Sequence, residues 1–239
     1  MSSFSLTVCS HHLHAAIRKP RSPGFNLQRK PRFLCLHGFR TSGEILKKQL
    51  GKWPASVLDQ LDLQFLDAPF PAEGSSDVEK FFDPPYFEWF QFNAAFTEHR
   101  NLEECLSFIE DYMLNHQPFD GILGFSQGAM LSAALPGLQA TGAGLTKVPK
   151  IKFVIIISGA IFNQFLPDKA FSTSIGCPSL HFLSEQDPMR RYGVKLLESF
   201  IEPLVIYHSQ GHVVPTLDCK AVKIMQTFID MISNPSMFN

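Results

Sequence analysis

Between Asp120 and Pro136 the chain runs from a short apolar stretch, Gly121-Ile122-Leu123-Gly124-Phe125, through Ser126-Gln127-Gly128 into a series of good helix formers. A strand that feeds a helix through one G-x-S-x-G turn has few ways to fold. Gly124 and Gly128 leave room on either side, so the chain can turn sharply with Ser126 at the apex and its Oγ exposed. The backbone N–H of Gln127 and the positive end of the helix dipole then face any negative charge that develops beside that hydroxyl. Alone, the pattern also fits a plain β–α turn whose serine caps a helix. The rest of the chain has to separate the two.

The same alternation recurs along the chain. Apolar, strand-sized runs occur at Arg32–Leu36, Leu63–Leu66, before Ser126, and at 151–158, 179–183 and 204–207. Helical patterns lie between them. One is capped by Thr41 or Ser42, and one runs from Pro54 through Leu61. Another begins at Asn101 with Glu104 as a capping box. The helix after Ser126 should stop around Pro136-Gly137, and a further one spans 190–200. The last, capped by Thr216, sets Leu217, Ala221, Val222, Met225, Phe228, Ile229 and Ile232 on one face. Six strands alternating with helices predict an α/β fold, a mainly parallel six-stranded sheet with helices on both faces. Ligands of such sheets gather beyond the carboxyl ends of the strands.

A chain of 239 residues with 18% charged residues suits one domain over 31–239. Residues 1–30 differ: serine-rich, basic and free of acids, with His11, His12 and His14, they read as a disordered or targeting extension. Six of the 21 basic residues lie at or before Arg32 and none of the 22 acidic ones does, so the remainder is about seven charges negative. An acidic body disfavours nucleic acid as a partner. The five cysteines are scattered without a C-x-x-C pair, which indicates neither a disulfide framework nor a zinc site and fits a reducing compartment. The expected location is cytoplasmic, or a plastid or mitochondrion if residues 1–30 are a transit peptide. No apolar run is long enough for a membrane span.

Three polar residues follow three strand ends in the order Ser126, Asp187, His212, which is the order of α/β-hydrolases. A serine hydroxyl becomes a nucleophile when a neighbouring imidazole takes its proton, and a buried carboxylate fixes that imidazole's tautomer. His208 competes as the base, and Glu185 and then Asp67 as the acid. Gly211 lets the histidine loop reach inward without a side-chain clash. The oxyanion hole needs two N–H donors; Gln127 supplies one, and Phe39, in His37-Gly38-Phe39 after the first strand, the other.

With those residues in place, the chain resembles the FSH family of serine hydrolases, particularly its plant members. The likeness rests on Pro31-Arg32-Phe33-Leu34-Cys35-Leu36-His37-Gly38-Phe39-Arg40, Asp67-Ala68-Pro69, Tyr86-Phe87-Glu88-Trp89-Phe90, Gly124-Phe125-Ser126-Gln127-Gly128-Ala129 and Gly211-His212. It runs from about residue 31 to 232, and the family is itself similar to acyl-protein thioesterases and small carboxylesterases. The resemblance implies esterase activity on acyl esters and supports Ser126, Asp187 and His212 as the triad. Acyl transfer by these groups needs no metal or organic cofactor. The aromatic stretch 81–92 is expected to cover the site, with His37, Tyr86, Phe87, Trp89 and Phe90 around an apolar pocket for a medium-to-long acyl ester or thioester. There is no room for a separate cap domain between Ser158 and Ser179. A small-molecule receptor with slow turnover would need the same three residues and is the competing reading.

Overall fold

The structure, a computed structural model, describes residues 29–93, 98–116, 118–161 and 167–233. The extension call, His11, His12, His14 and Cys9 therefore lie outside the described residues, apart from Arg29 and Lys30. In chain order the elements begin with β1 (Arg32–Leu36), α1 (Gly43–Leu50), α2 (Ala55–Leu58) and β2 (Asp62–Leu66). Four two-residue strands follow: β3 (Phe70–Pro71), β4 (Phe87–Glu88), β5 (Gln91–Phe92) and β6 (His99–Arg100). The chain continues with α3 (Leu102–Asn115), β7 (Gly121–Phe125), α4 (Gln127–Ala140) and β8 (Phe153–Ile157). After a 3-10 turn at Asp168–Phe171 come β9 (Ser179–Ser184), α5 (Arg190–Leu197), β10 (Leu204–His208) and α6 (Cys219–Ser233).

Six strands form one sheet in the order β2-β1-β7-β8-β9-β10, every neighbouring pair parallel. The expected α/β-hydrolase architecture is what forms. From β1 the chain steps outward to β2, then returns to the other side of β1 as β7. That reversal lies between β1 and β7, and sheets of this kind place their ligands beyond the carboxyl ends of the strands at such a point.

The period of two along each strand sorts the core into two layers. Leu34, Leu36, Ile122, Val154 and Ile156 point to the α3 and α4 side. Phe33, Cys35, Leu123, Phe153, Ile155 and Ile157 point to the side of α1, α2 and α6. Both faces are covered, so β7, β8 and β9 are buried throughout; β7 and β8 read as continuous apolar runs, while β9 also buries Ser179, His181 and Ser184. Each fully buried aliphatic side chain contributes about 1.5–3 kcal/mol. Helix α4 is buried nearly all round, whereas α6 buries one stripe, Ala221, Met225, Phe228, Ile229 and Ile232.

Several helix ends differ from expectation. Ser42, not Thr41, caps α1 by accepting from the Ile45 N–H. Asn101 sits in the left-handed region (φ 65°) and makes no cap; its amide donates to Gln91 Oε1 instead. Thr216 is occupied by Gln210, and Asp218 accepts from the Ala221 N–H to start α6. Helix α4 runs through Pro136 to Ala140, because Gly137 packs against the backbone of Ala170 in the 3-10 turn and Leu138 is core. Helices α2 and α5 stop at Leu58 and Leu197, short of Leu61 and Phe200. At the sheet's opposite end Asp120 accepts from Arg29, Lys152 and the Arg32 N–H, tying Arg29 to the body.

Candidate active site

Ser126 stands between β7 and α4 with φ 53° and ψ −115°, a strained conformation for a residue with a Cβ. Close packing enforces it. A methyl at Gly124 would overlap the Gly128 carbonyl, and one at Gly128 would overlap the Leu36 carbonyl, so only glycines let α4 start this close to β1 and β7. The Gly128 N–H donates to the His37 carbonyl at 3.1 Å, locking the turn to the end of β1. Ser126 occupies the N-cap position yet makes no capping hydrogen bond. Its hydroxyl is committed elsewhere.

That commitment is to His212, whose Nε2 lies 2.8 Å from Ser126 Oγ. On the other edge of the ring, Nδ1 lies 2.8 Å from Asp187 Oδ2. The second carboxylate oxygen of Asp187 accepts from the Met189 N–H at 2.8 Å, which fixes the acid's orientation. Asp187 is buried, and the imidazole is about one-third exposed beside the Phe125 ring. Because a carboxylate only accepts, Nδ1 carries a proton and Nε2 is left to accept from the serine. Three groups from the ends of β7, β9 and β10 thus form one hydrogen-bonded line.

Gly211 carries φ 77°, and a methyl there would meet no atom within 4 Å. Its role is the left-handed turn that swings His212 inward, not the relief of a clash. Its N–H donates to Ser184 Oγ, which also accepts from Gln186, so one hydroxyl joins the acid loop to the base loop.

The competing residues face other partners. His208 Nδ1 accepts from the Gln210 N–H within its own loop, and burial lowers its pKa, against the pull of the Asp187 charge. Glu185 is exposed. Asp67 accepts from the Gly43 N–H at the start of α1.

The loop after β1 approaches Ser126 at Gly38. The backbone of Gly38 passes the Ser126 side chain closely enough that a Cβ on Gly38 would sit 3.5 Å from Ser126 Cβ. Phe39 follows Gly38 in this loop, and Gln127 follows Ser126 as the first residue of α4. Among the expected pocket residues, His37, Trp89 and Phe90 are completely buried, and Tyr86 and Phe87 half-buried. The first three are core, which corrects the pocket reading. His37 Nδ1 donates to the Gly38 carbonyl and Nε2 accepts from the Ala68 N–H, so the ring bridges the ends of β1 and β2. Burial pushes its pKa down to about 4, partly opposed by the Gly38 carbonyl and Asp67, and the ring is neutral at pH 7.

Two features escape a sequence reading. Gln127 uses its side chain as well as its backbone: Oε1 accepts from the Trp89 N–H at 3.0 Å and Nε2 donates to the Phe90 carbonyl at 2.7 Å. The amide thus pairs with the aromatic segment as a neighbouring strand would. Arg40 donates through Nε to Glu88 Oε1 at 2.7 Å, and Glu88 is buried. A lone acid inside Tyr86-Phe87-Glu88-Trp89-Phe90 was the available signal, since a buried carboxylate requires a partner.

The serine hydrolase (FSH1) family model matches residues 27–224. Esterase FUS5 of Gibberella fujikuroi is 32% identical over 195 residues, covering 78% of this chain and 81% of that protein. Esterase C25G4.2 of Caenorhabditis elegans is 31% identical over 209 residues, covering 82% of this chain and 92% of its own length. Among solved structures, Zea mays acyl-protein thioesterase 2 superposes with a TM-score of 0.58 at 18% identity, covering 85% of this chain and 94% of that one, a likeness of fold.

Proposed function

The chain belongs to the serine hydrolase (FSH1) family and is a carboxylic ester hydrolase, and on that premise we propose that Ser126, His212 and Asp187 are its catalytic triad. The observation that carries this reading is the position of His212, 2.8 Å from both Ser126 Oγ and Asp187 Oδ2. As Ser126 Oγ attacks the acyl carbonyl, its proton passes to His212 Nε2, and the buried Asp187 carboxylate stabilises the imidazolium. The carbonyl oxygen gains negative charge beside the Gln127 and Phe39 N–H groups at the start of α4. Collapse of the tetrahedral intermediate expels the alcohol, which takes the proton from His212. Water then repeats the sequence on the acyl-enzyme and releases the acid.

The substrate we assign is a small-molecule acyl ester or thioester with a medium-to-long acyl chain. Half-buried Phe39 and Phe92, in edge contact at 5.9 Å, offer apolar surface beside the proposed oxyanion donors. Four described cysteines, Cys35, Cys105, Cys177 and Cys219, are free thiols, which favours the cytoplasm or another reducing compartment; imaging a tagged full chain checks this. A fluorophosphonate should label the wild type and not Ser126→Ala, and Ser126→Ala should lose ester hydrolysis. A Ser126→Ala protein that still hydrolyses esters at the wild-type rate overturns the triad, and a preference for acetyl esters alone overturns the chain-length reading.

A further inference from the structure

The segment between β2 and α3 contributes no group to the hydrogen-bonded line Ser126–His212–Asp187, yet its polar side chains converge on one place. Residues 37–41 leave the end of β1 and approach Ser126 at Gly38, the residue before Phe39. Arg40, next in the chain, has φ 52°, a left-handed conformation disfavoured for a residue with a Cβ. From there its side chain reaches Glu88 Oε1 at 2.7 Å and the Ser75 carbonyl at 3.2 Å, and its guanidinium lies 4.7 Å from the centre of the Phe39 ring. Its own carbonyl accepts from Ser76 Oγ at 2.6 Å, and the Thr41 carbonyl accepts from the Phe87 N–H at 2.7 Å. Glu88 Oε1 also accepts from the Glu73 N–H at 3.1 Å, so one buried oxygen gathers two donors from different turns of the chain.

The arrangement is costly unless something depends on it. Glu88 has its carboxylate almost wholly out of water, and Arg40 is the only cation given an ion pair with it among the described residues. A buried apolar pair could have packed the same volume at less desolvation penalty. What an ion pair adds is a directional constraint: Nε points one way and the backbone bearing it is held in one conformation. The backbone so held is joined directly to the Phe39 amide.

We infer that Arg40 and Glu88 are positioning residues, whose ion pair holds the 37–41 loop so that the Phe39 N–H meets the oxygen of the tetrahedral intermediate. The inference rests on the triad and on the Phe39 oxyanion donor proposed above. It makes residues 73–88 a brace for the oxyanion loop. Neither side chain touches substrate. Their contribution appears when charge develops on that oxygen, so it acts on kcat more than on KM.

The experiment uses the full chain with Glu88→Ala, Arg40→Lys and Glu88→Gln, assayed on an ester and on its thionoester, in which sulfur replaces the carbonyl oxygen. Sulfur is larger and accepts weakly, so a well-placed N–H favours the ester. Fluorophosphonate titration counts competent sites, so that misfolded protein is excluded from kcat. Glu88→Ala and Arg40→Lys are expected to lower kcat per site on the order of 10- to 100-fold, with KM within about threefold and a smaller ester-to-thionoester rate ratio. Glu88→Gln keeps Oε1 as acceptor for Arg40 and Glu73 and should restore kcat to within about threefold of wild type. Should Glu88→Ala not fold, Arg40→Lys decides, because lysine keeps the charge beside Glu88 and loses only the fork geometry. Wild-type kcat per site in Arg40→Lys, or equal losses on both substrates, overturns the inference. Ser126→Ala separates the two readings: if it is inactive while the brace variants behave as wild type, only the brace fails, and if it stays active the triad fails first.

Discussion

Replacing Gln127 by Glu changes one amide nitrogen into oxygen and turns a satisfied contact into a repulsive one. The Trp89 N–H would keep its acceptor at Oε1, but the Phe90 carbonyl, which accepts from Nε2 at 2.7 Å, would face a second oxygen. Gln127, Trp89 and Phe90 are all buried, so water cannot intervene. A protonated Glu can still donate to Phe90; an ionised one cannot. The folded protein therefore raises this carboxyl's pKa far above its unfolded value of about 4.3, and buried glutamates near 8 are known. For an acid raised in the fold, the native state holds more protons than the unfolded chain between the two values. Stability is then fully present below about pH 4 and falls as pH rises through the window. A shift of about three units costs about 4 kcal/mol by pH 7.5 at 1.36 kcal/mol per unit. At ~2–4 °C per kcal/mol for a chain of this size, the gap in Tm between wild type and Gln127→Glu should widen by about 10 °C between pH 4 and pH 7.5.

Differential scanning fluorimetry of both proteins at matched pH values measures this, and subtraction of the wild type removes the titrations they share. Gln127→Ala is the control. It leaves the Trp89 N–H and the Phe90 carbonyl unpaired at about 1–3 kcal/mol each, a loss with little pH dependence. A Gln127→Glu deficit that stays flat from pH 4 to pH 7.5 would refute the pairing of this side chain with the aromatic segment.

Asp187→Asn should fold normally and lose about 10⁴-fold in kcat, because an amide donating to Nδ1 selects the tautomer whose Nε2 already carries a proton; steady-state rates at constant labelled-site count test it. Burial holds His181 near pKa 3 and His37 near 4, so both stay neutral in the fold while the unfolded chain takes up protons below pH 6.5. Their stabilisation is present above pH 6.5 and lost as pH falls, by about 2 kcal/mol each at pH 5. In His181→Phe the fall in denaturant midpoint between pH 7 and pH 5 should shrink accordingly, and an unchanged fall excludes His181 as a source. Gly128→Ala should abolish fluorophosphonate labelling, since a methyl there displaces either α4 or the end of β1; normal labelling would show that the turn tolerates a Cβ at this position.

What could be read from the chain follows from where burial constrains it. Strands β7 and β8 are covered on both faces and are continuous apolar runs that announce themselves, whereas β9, equally buried, carries Ser179, His181 and Ser184 among its apolar residues. Ser126, Asp187 and His212 were visible for a related reason: each lies in the loop after a strand, and a parallel sheet delivers all its carboxyl ends to one edge. Helix caps were less legible. Asn101 and Thr216 are good capping types, but a cap depends on backbone angles and on competing partners, and Gln91 and Gln210 supplied those partners from elsewhere. Pro136 argues for a helix end by its own chemistry, yet burial of Leu138 and the seat of Gly137 on the 3-10 turn carry α4 past it.

The aromatic segment shows why residue type alone misplaces function. Phe87, Trp89 and Phe90 beside a proposed serine nucleophile suggest a pocket wall, because aromatics favour ligand surfaces and core alike. What decides between the two is the backbone they sit on. The Trp89 N–H and Phe90 carbonyl are taken by Gln127, the Trp89 indole donates to the His37 carbonyl at 2.8 Å, and Phe87 pairs with Thr41. Every one of those partners belongs to the Ser126 turn or to the loop after β1. A segment held so completely by the two loops that border Ser126 cannot lift away to admit a ligand without disturbing them. Trp89 and Phe90 are therefore part of the scaffold beneath the proposed site, and the proposed acyl-chain preference is tested first by varying Phe39 and Phe92, which are half-buried.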